Sequence, residues 1–231
     1  MTIPFIARIR LKTRQPKNTM STFNLSATIH AFHLLTQPQS LIPALRVPTF
    51  ADLPIPLGQA LTTKAGIRPD IRALVLDKDN CFAEPDSSVI YPAYKDHFQR
   101  LKEAYPGDKI LIVSNTAGTR SMDPEFRLAE ALERETGVRV LRHSAKKPDR
   151  ECIDEIMQFF LQSPSADVQK PSQVAVIGDR ILTDIAMANR MGAWGVWIEK
   201  GVVPVDTLPI RIEQLWLRKV EAFGYKSDKP V

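Results

Sequence analysis

Acidic residues are missing from the first 51 positions of this 231-residue chain. The same stretch holds Arg8, Arg10, Lys12, Arg14, Lys17 and Arg46, a charge of +6. The other 25 bases and all 26 acids leave residues 52–231 at −1. The overall charge of +5 is thus a property of the N-terminus, and the body of the chain lacks the basic excess that nucleic acid binding requires. Cysteine is scarce as well. Cys81 and Cys152 stand alone, which excludes a disulfide framework and suits a reducing compartment. No apolar run approaches the roughly 20 residues that span a bilayer, and no internal repeat is present. The rest is ordinary for a globular protein, with a hydrophobic fraction of 44% and a charged fraction of 25%. The length suits one domain with a small appendage.

Residues 1–20 are basic and rich in hydroxyl and amide side chains. A mitochondrial targeting leader has that composition, and so does a solvated basic tail. No apolar core follows the charges, which argues against a secretory signal, and Met20 offers a second start. Over residues 24–35, Leu25, Ile29, Phe32 and Leu35 recur at helical spacing. The amphipathic helix this predicts can dock on the domain or lie on an anionic membrane surface. His30 and His33 fall on its polar side, with no partner at metal-binding spacing. Pro38, Pro43, Pro48, Pro54 and Pro56 make residues 37–57 an extended connection. The domain reading is therefore a leader (1–20), a helix and proline-rich connection (21–57) and a main domain (58–231).

The main domain alternates. Strands are predicted over residues 71–76, 109–113, 138–141, 173–177 and 194–198, and helices over 91–105, 123–136, 149–161, 181–191 and 208–223. Asp123, with Pro124 in the first turn and Gly137 past the end, reads as the cap of the second helix. This order predicts an α/β fold: a Rossmann-like parallel sheet of about five strands with helices on both faces. Functional groups then gather at the C-terminal ends of the strands.

Four such ends carry polar groups. Asp77-Lys78-Asp79 follows the first strand, with two carboxylates that alternation would point to one face. Taken alone it could be a solvated turn, since close like charges repel unless a cation or shared proton joins them. Ser114-Asn115-Thr116 follows the second strand, and the stretch from His143 to Pro148, with Lys146 and Lys147, follows the third. Gly178-Asp179-Arg180 and then Thr183-Asp184 follow the fourth. A hydroxyl, an ammonium and several carboxylates converging on one edge form, by chemical type, a site for phosphate and a metal. For Asp184 a helix-cap role competes.

The order and spacing of these segments resemble the haloacid dehalogenase superfamily of phosphatases over about residues 70–200. The resemblance implies Asp77 as nucleophile, Asp79 as general acid and base, and Mg²⁺ held by Asp77, the Asp79 main chain and Asp179, with Asp184 completing the metal site by orienting the ion's water shell. It also implies Ser114 and the Asn115 amide on a phosphoryl oxygen, and a lysine neutralising charge. Lys147, before Pro148, fits the family's Lys-Pro pattern, with Lys146 in reserve. Cys81 stands where most members carry Thr or Val and reads as a core residue rather than a catalytic thiol.

Only 34 residues separate Asp79 from Ser114, which leaves no room for a large cap domain. An open site suits a phosphate carried on something large. A closer resemblance, to the fungal-type mitochondrial phosphatidylglycerophosphate phosphatases, spans about residues 25–200. It rests on Val47-Pro48-Thr49-Phe50, Asp52-Leu53-Pro54, Leu76 to Cys81, Ile112 to Gly118, Leu141 to Pro148 and Val176 to Asp184. It implies a phospholipid substrate, phosphatidylglycerol as a cardiolipin precursor, and a peripheral place on the matrix face of the inner mitochondrial membrane. Arg142 and His143 are then candidates for headgroup contact, with a surface ion pair the other reading of Arg142. Two alternatives stand beside this one: a capless phosphatase of phosphoproteins or sugar phosphates, and a non-catalytic membrane-associated scaffold. Apolar faces on the terminal helices would also suit a homo-oligomer. Trp194, Trp197 and Trp216 read as core residues rather than an interfacial belt.

Overall fold

A computed structural model describes residues 38–204, 208–227 and 230. The leader and the helix expected over residues 24–35 lie outside the described residues. Six parallel strands form one sheet: β1 (Leu45–Val47), β2 (Ala73–Leu76), β3 (Ile110–Ile112), β4 (Arg139–Val140), β5 (Val174–Gly178) and β6 (Trp194–Ile198). Their spatial order is β1–β6–β5–β2–β3–β4. Chain direction across the sheet reverses between β2 and β5, where Leu76 lies opposite Ile177 on one side and Ile112 on the other. Such a switch point leaves a crevice at the strands' C-terminal ends.

Period-two alternation divides the strand residues between two layers. Leu74, Leu76, Ile110, Ile112, Ala175 and Ile177 join one core with the buried residues of α1 (Lys95–Ala104) and α2 (Arg127–Thr136). Ala73, Val75, Leu111, Val174 and Val176 join the other with α3 (Arg150–Gln162) and α4 (Ala186–Met191). Helices thus cover both faces, and the four inner strands are buried throughout, as an all-parallel sheet requires. A third apolar cluster joins α5 (Leu208–Ala222) to Leu41, Ile181 and Trp197. Trp194 and Trp197 are buried, as read from the sequence, and Cys81 is a core residue with no exposure.

The sixth strand comes from the proline-rich stretch. Leu45–Val47 pairs with β6, and the pairing extends through Ala44 N–H to Gly195 O at 2.8 Å and Lys200 N–H to Pro48 O at 2.8 Å. β1 is an edge strand, so the missing N–H groups of Pro43 and Pro48 break no ladder on its open side. Downstream, Phe50 is fully buried against Phe82, Tyr94 and Phe98, with ring centroids 5.9, 5.6 and 6.0 Å away.

Two helix starts differ from expectation. α2 begins at Arg127, after Phe126 in a left-handed conformation (φ 58°), not at Asp123. Asp123 still caps it, from one turn back. Its carboxylate accepts from Gly118, Leu128 and Ala129 amides at 3.0, 3.1 and 2.9 Å. Backbone donors therefore outweigh burial and hold this carboxyl below its ordinary range. The helix expected over 181–191 opens instead with a wide π-type turn, Ile181–Ile185, before α4. That turn swings the Asp184 carboxylate back against Gly178, where an added Cβ would collide with it. Such turns recur at functional sites.

Phe50→Ala should lower stability by about 3–5 kcal/mol, the usual cost of deleting a buried ring. Urea denaturation would measure it. A cost near zero would show that the proline-rich stretch is dispensable to the core.

Candidate active site

Asp77 follows β2, Asp179 follows β5, and Asp184 lies on the π turn after it. Each offers a carboxylate oxygen within 4.8 Å of the other two. Lys147, from the loop after β4, is buried among them, with Nζ 2.5 Å from Asp77 Oδ1 and 2.7 Å from Asp184 Oδ1. Asp184 Oδ2 also accepts the Arg180 N–H at 3.2 Å, so this residue is at once a helix cap and a member of the trio. One ammonium faces three carboxyl groups in a desolvated place, which with all three ionised would carry a net −2. Burial, with Asp184 and Asp179 adding to it and Lys147 opposing, pushes Asp77 up to about 8. Burial and Asp184 push Asp179 up to about 6. For Lys147 burial acts downward, and the attraction of Asp184 and Asp77 overcomes it. The surplus negative charge is what a divalent cation would neutralise. Asp179 Oδ1 is buried without a hydrogen-bond partner, an oxygen left available to such an ion.

Asp79 has a different environment. Its Oδ1 is paired with Lys78 Nζ and accepts the Asp86 N–H at 3.1 Å. Its Oδ2 accepts from Thr116 Oγ1 at 2.6 Å and Ser114 Oγ at 3.1 Å. Burial favours the neutral form, but Lys78, Thr116 and the Asp86 amide outweigh it and hold Asp79 below the ordinary carboxylate value. Two acids one residue apart thus sit on opposite sides of their normal pKa.

The remaining expected residues divide. Asn115 secures the lysine loop, its Oδ1 accepting the Lys147 N–H at 2.8 Å. Ser114 is fully buried, and its hydroxyl also accepts the Thr116 N–H at 3.0 Å. The hydroxyl that lines the cleft here belongs to Thr116. Lys147 is the lysine of the site and Lys146 is exposed to solvent. His143 is buried, with Nε2 2.9 Å from the Ser114 carbonyl and Nδ1 2.5 Å from Ala145 O; it braces the Ser114 turn from behind instead of meeting a headgroup. Arg142 grips Glu133 with both terminal nitrogens, one at 2.7 Å, which is the ion-pair reading of this residue. The cleft above the acids measures about 250 Å³, and its walls include Asp77, Asp79, Asn115, Thr116, Lys147 and Arg180. Among the described residues no cap domain interrupts the segments from Asp79 to α1 or from Ser114 to α2.

Three contributors were not read from the sequence. Lys78 and Thr116 hold Asp79. Asn80 holds Asp179: its Nδ2 donates to Asp179 Oδ2 at 3.1 Å, and its Oδ1 accepts the Val203 N–H at 2.9 Å. Asn80 has φ 60°, a region that asparagine tolerates better than most residues. A Cβ on Gly201 would strike the Asn80 carboxamide. The available signal was the position of Asn80, directly after the Asp-Lys-Asp run, where a left-handed residue was needed to turn the chain.

Comparison with known proteins agrees with this chemistry. The sequence pattern of a family described as mitochondrial PGP phosphatase matches residues 25–203. The chain is 46% identical over 179 residues to the mitochondrial phosphatidylglycerophosphatase of Saccharomyces cerevisiae, covering 78% of this chain and 89% of that one. A probable mitochondrial phosphatidylglycerophosphatase of Schizosaccharomyces pombe is 37% identical over 192 residues, with 83% and 90% covered. The chloroplastic phosphatidylglycerophosphate phosphatase 1 of Chlamydomonas reinhardtii is 33% identical over 157 residues, 66% of this chain and 55% of that protein.

Replacing Asn80 by Ala should free Asp179 to turn and weaken divalent cation binding by about 10–100-fold. Calorimetric titration with Mg²⁺ or Mn²⁺ would read this directly. Unchanged affinity would mean that Asn80 serves the loop after β6 and not the acid trio.

Proposed function

The chain belongs to the mitochondrial PGP phosphatase family, and on that premise we propose that it hydrolyses the terminal phosphate of phosphatidylglycerophosphate, leaving phosphatidylglycerol. The observation that carries this reading is the buried Lys147 ammonium between Asp77 and Asp184, with an unpartnered Asp179 oxygen beside them. Asp77 attacks phosphorus, the bond from phosphorus to the glycerol oxygen breaks, and an aspartyl-phosphate forms. Asp79 gives its proton to the departing alkoxide and then takes one from the water that splits the intermediate. Before substrate arrives Asp79 lies low in pKa; a phosphate dianion beside it pushes it upward, toward the protonated form the first step needs.

Asp77, the Asp79 main-chain carbonyl, Asp179 and Asp184 would hold Mg²⁺, which supplies charge neutralisation for phosphoryl transfer when bound. With that charge in place Asp77 would return toward its ordinary pKa and be ionised at neutral pH. Lys147 keeps the Asp77 carboxylate oriented, Asn115 and Thr116 face the phosphoryl oxygens, and Ser114 fixes Thr116 and Asp79. The cleft of about 250 Å³ admits a phosphate and its glycerol but not acyl chains, which fits a substrate that stays in its bilayer. Arg180, exposed at the cleft, is the cation placed to meet the phosphodiester next to the reacting group. No helix of the described residues is long and apolar enough to cross a membrane. The basic, acid-free leader supports a peripheral place on the matrix face of the inner membrane.

Phosphate release from phosphatidylglycerophosphate in mixed micelles, with Mg²⁺ or with EDTA, tests the reading. Wild type should release phosphate only with metal, and Asp77→Asn should lose about 10³-fold or more. Full activity in EDTA, or in Asp77→Asn, would sink the mechanism. Release only from a soluble aryl phosphate would keep the phosphatase and remove the lipid. Arg180→Ala should raise KM for the lipid while leaving aryl phosphate hydrolysis alone; equal loss of both would place Arg180 in the chemistry.

A further inference from the structure

We propose that the outer face of α5 docks this protein on an anionic lipid bilayer, a refinement that rests on the phospholipid substrate proposed above. α5 is apolar on two sides. Leu217 and Val220 face inward and pack with Leu41, Ile181, Ile185 and Trp197. Across the helix, Ile212 and Leu215 are 56% and 55% exposed, and Phe223, just past the last turn, is 81% exposed. Positions 212, 215, 219 and 223 follow one another in steps of three and four, so they form one stripe. A surface helix is ordinarily apolar toward the core alone. A second stripe of large apolar side chains marks contact with something other than water.

Charge identifies the occupant. Lys219 lies within the stripe, Arg218 beside it and Lys226 beyond its end, all three exposed. The acids of the helix are engaged elsewhere. Glu213 accepts the Ile181 N–H at 3.3 Å, and Glu221 is paired with Arg46. Apolar tips flanked by bases match a lipid interface, where the tips enter the acyl boundary and the ammonium groups meet headgroup phosphates. Two copies of this face would instead bring like charges together in a symmetric contact. Position adds to the argument. The first turns of α5, with Ile210 and Glu213, line a cleft of about 580 Å³ together with Asn80 and Asp179. The helix that carries the stripe thus also borders the crevice of the acid trio, through residues next to the stripe. A lipid phosphate could then reach the smaller catalytic cleft without its chains leaving the membrane.

The test is flotation of the full chain with vesicles of phosphatidylcholine, alone or mixed with phosphatidylglycerol. Wild type should float with the mixed vesicles only, and salt should release it. An Ile212→Ser/Leu215→Ser/Phe223→Ser triple variant and an Arg218→Gln/Lys219→Gln double variant should each bind about tenfold or more weakly. Hydrolysis of a soluble aryl phosphate should be unchanged in both. The double variant alters exposed positions only, so it serves if the triple variant fails to fold. Vesicle binding equal to wild type in either folded variant overturns the proposal. So does sedimentation that finds a wild-type dimer and a monomeric triple variant with unaltered vesicle binding, since the face would then close on a second copy. A wild type that floats but hydrolyses no aryl phosphate would leave docking upheld and count against the phosphatase reading.

Discussion

The Lys147 ammonium makes the site possible. Asp77, Asp179 and Asp184 are brought within 4.8 Å of one another in a desolvated place, where like charges repel most strongly. Lys147 bonds two of them, Asn80 holds Asp179 Oδ2 and the Arg180 amide holds Asp184 Oδ2, which leaves Asp179 Oδ1 without a partner. Breaking a buried pair of this kind by removing one partner costs about 3–5 kcal/mol, so the loop that carries the lysine is anchored in its turn. Asn115 holds its backbone, and His143 connects its base to the Ser114 turn. Even then the charges do not balance. The deficit is a physical reason for the site to take up a divalent cation.

The sheet explains why these groups meet. β2 and β5 lie side by side at the switch point, so their C-terminal ends deliver Asp77 and Asp179 to one crevice. β3 brings Ser114 and Thr116 from the other side, and they engage Asp79 instead. Two carboxylates of one tripeptide thereby acquire opposite environments. Asp77 is desolvated by burial, faces two further carboxylates and rises; for Asp79 a lysine, a hydroxyl and a backbone amide outweigh burial and it falls. A cation in the trio would bring Asp77 down and an arriving phosphate would lift Asp79, which is the exchange that the nucleophile and acid roles require.

Loading at the edge of the fold follows the same logic. The cleft above the acids is small and, among the described residues, uncapped, and the large apolar side chains left in water include a stripe on α5, the helix whose first turns line the neighbouring cleft with Asn80 and Asp179. Enzymes of soluble metabolites exclude water by closing a lid over the substrate. Here a bilayer held against α5 would be well placed to do that.

Much was legible in the chain before any fold was considered. The alternation of strands and helices and the four polar strand ends follow from local pattern, because hydrophobic period and short motifs are local properties; the preference for Lys147 before Pro148 and the core reading of Cys81 came with the resemblance to a phosphatase family. Tertiary structure decided the rest. Leu45–Val47 became a strand only because β6 offered it an edge, and proline content concealed that. Arg142 found Glu133, and His143 found the Ser114 carbonyl, partners that no spacing along the chain announces. Asn80 became the clamp on Asp179 although 98 residues lie between them. Residue type and period are written into the sequence, whereas pairing depends on which loops the sheet order places face to face.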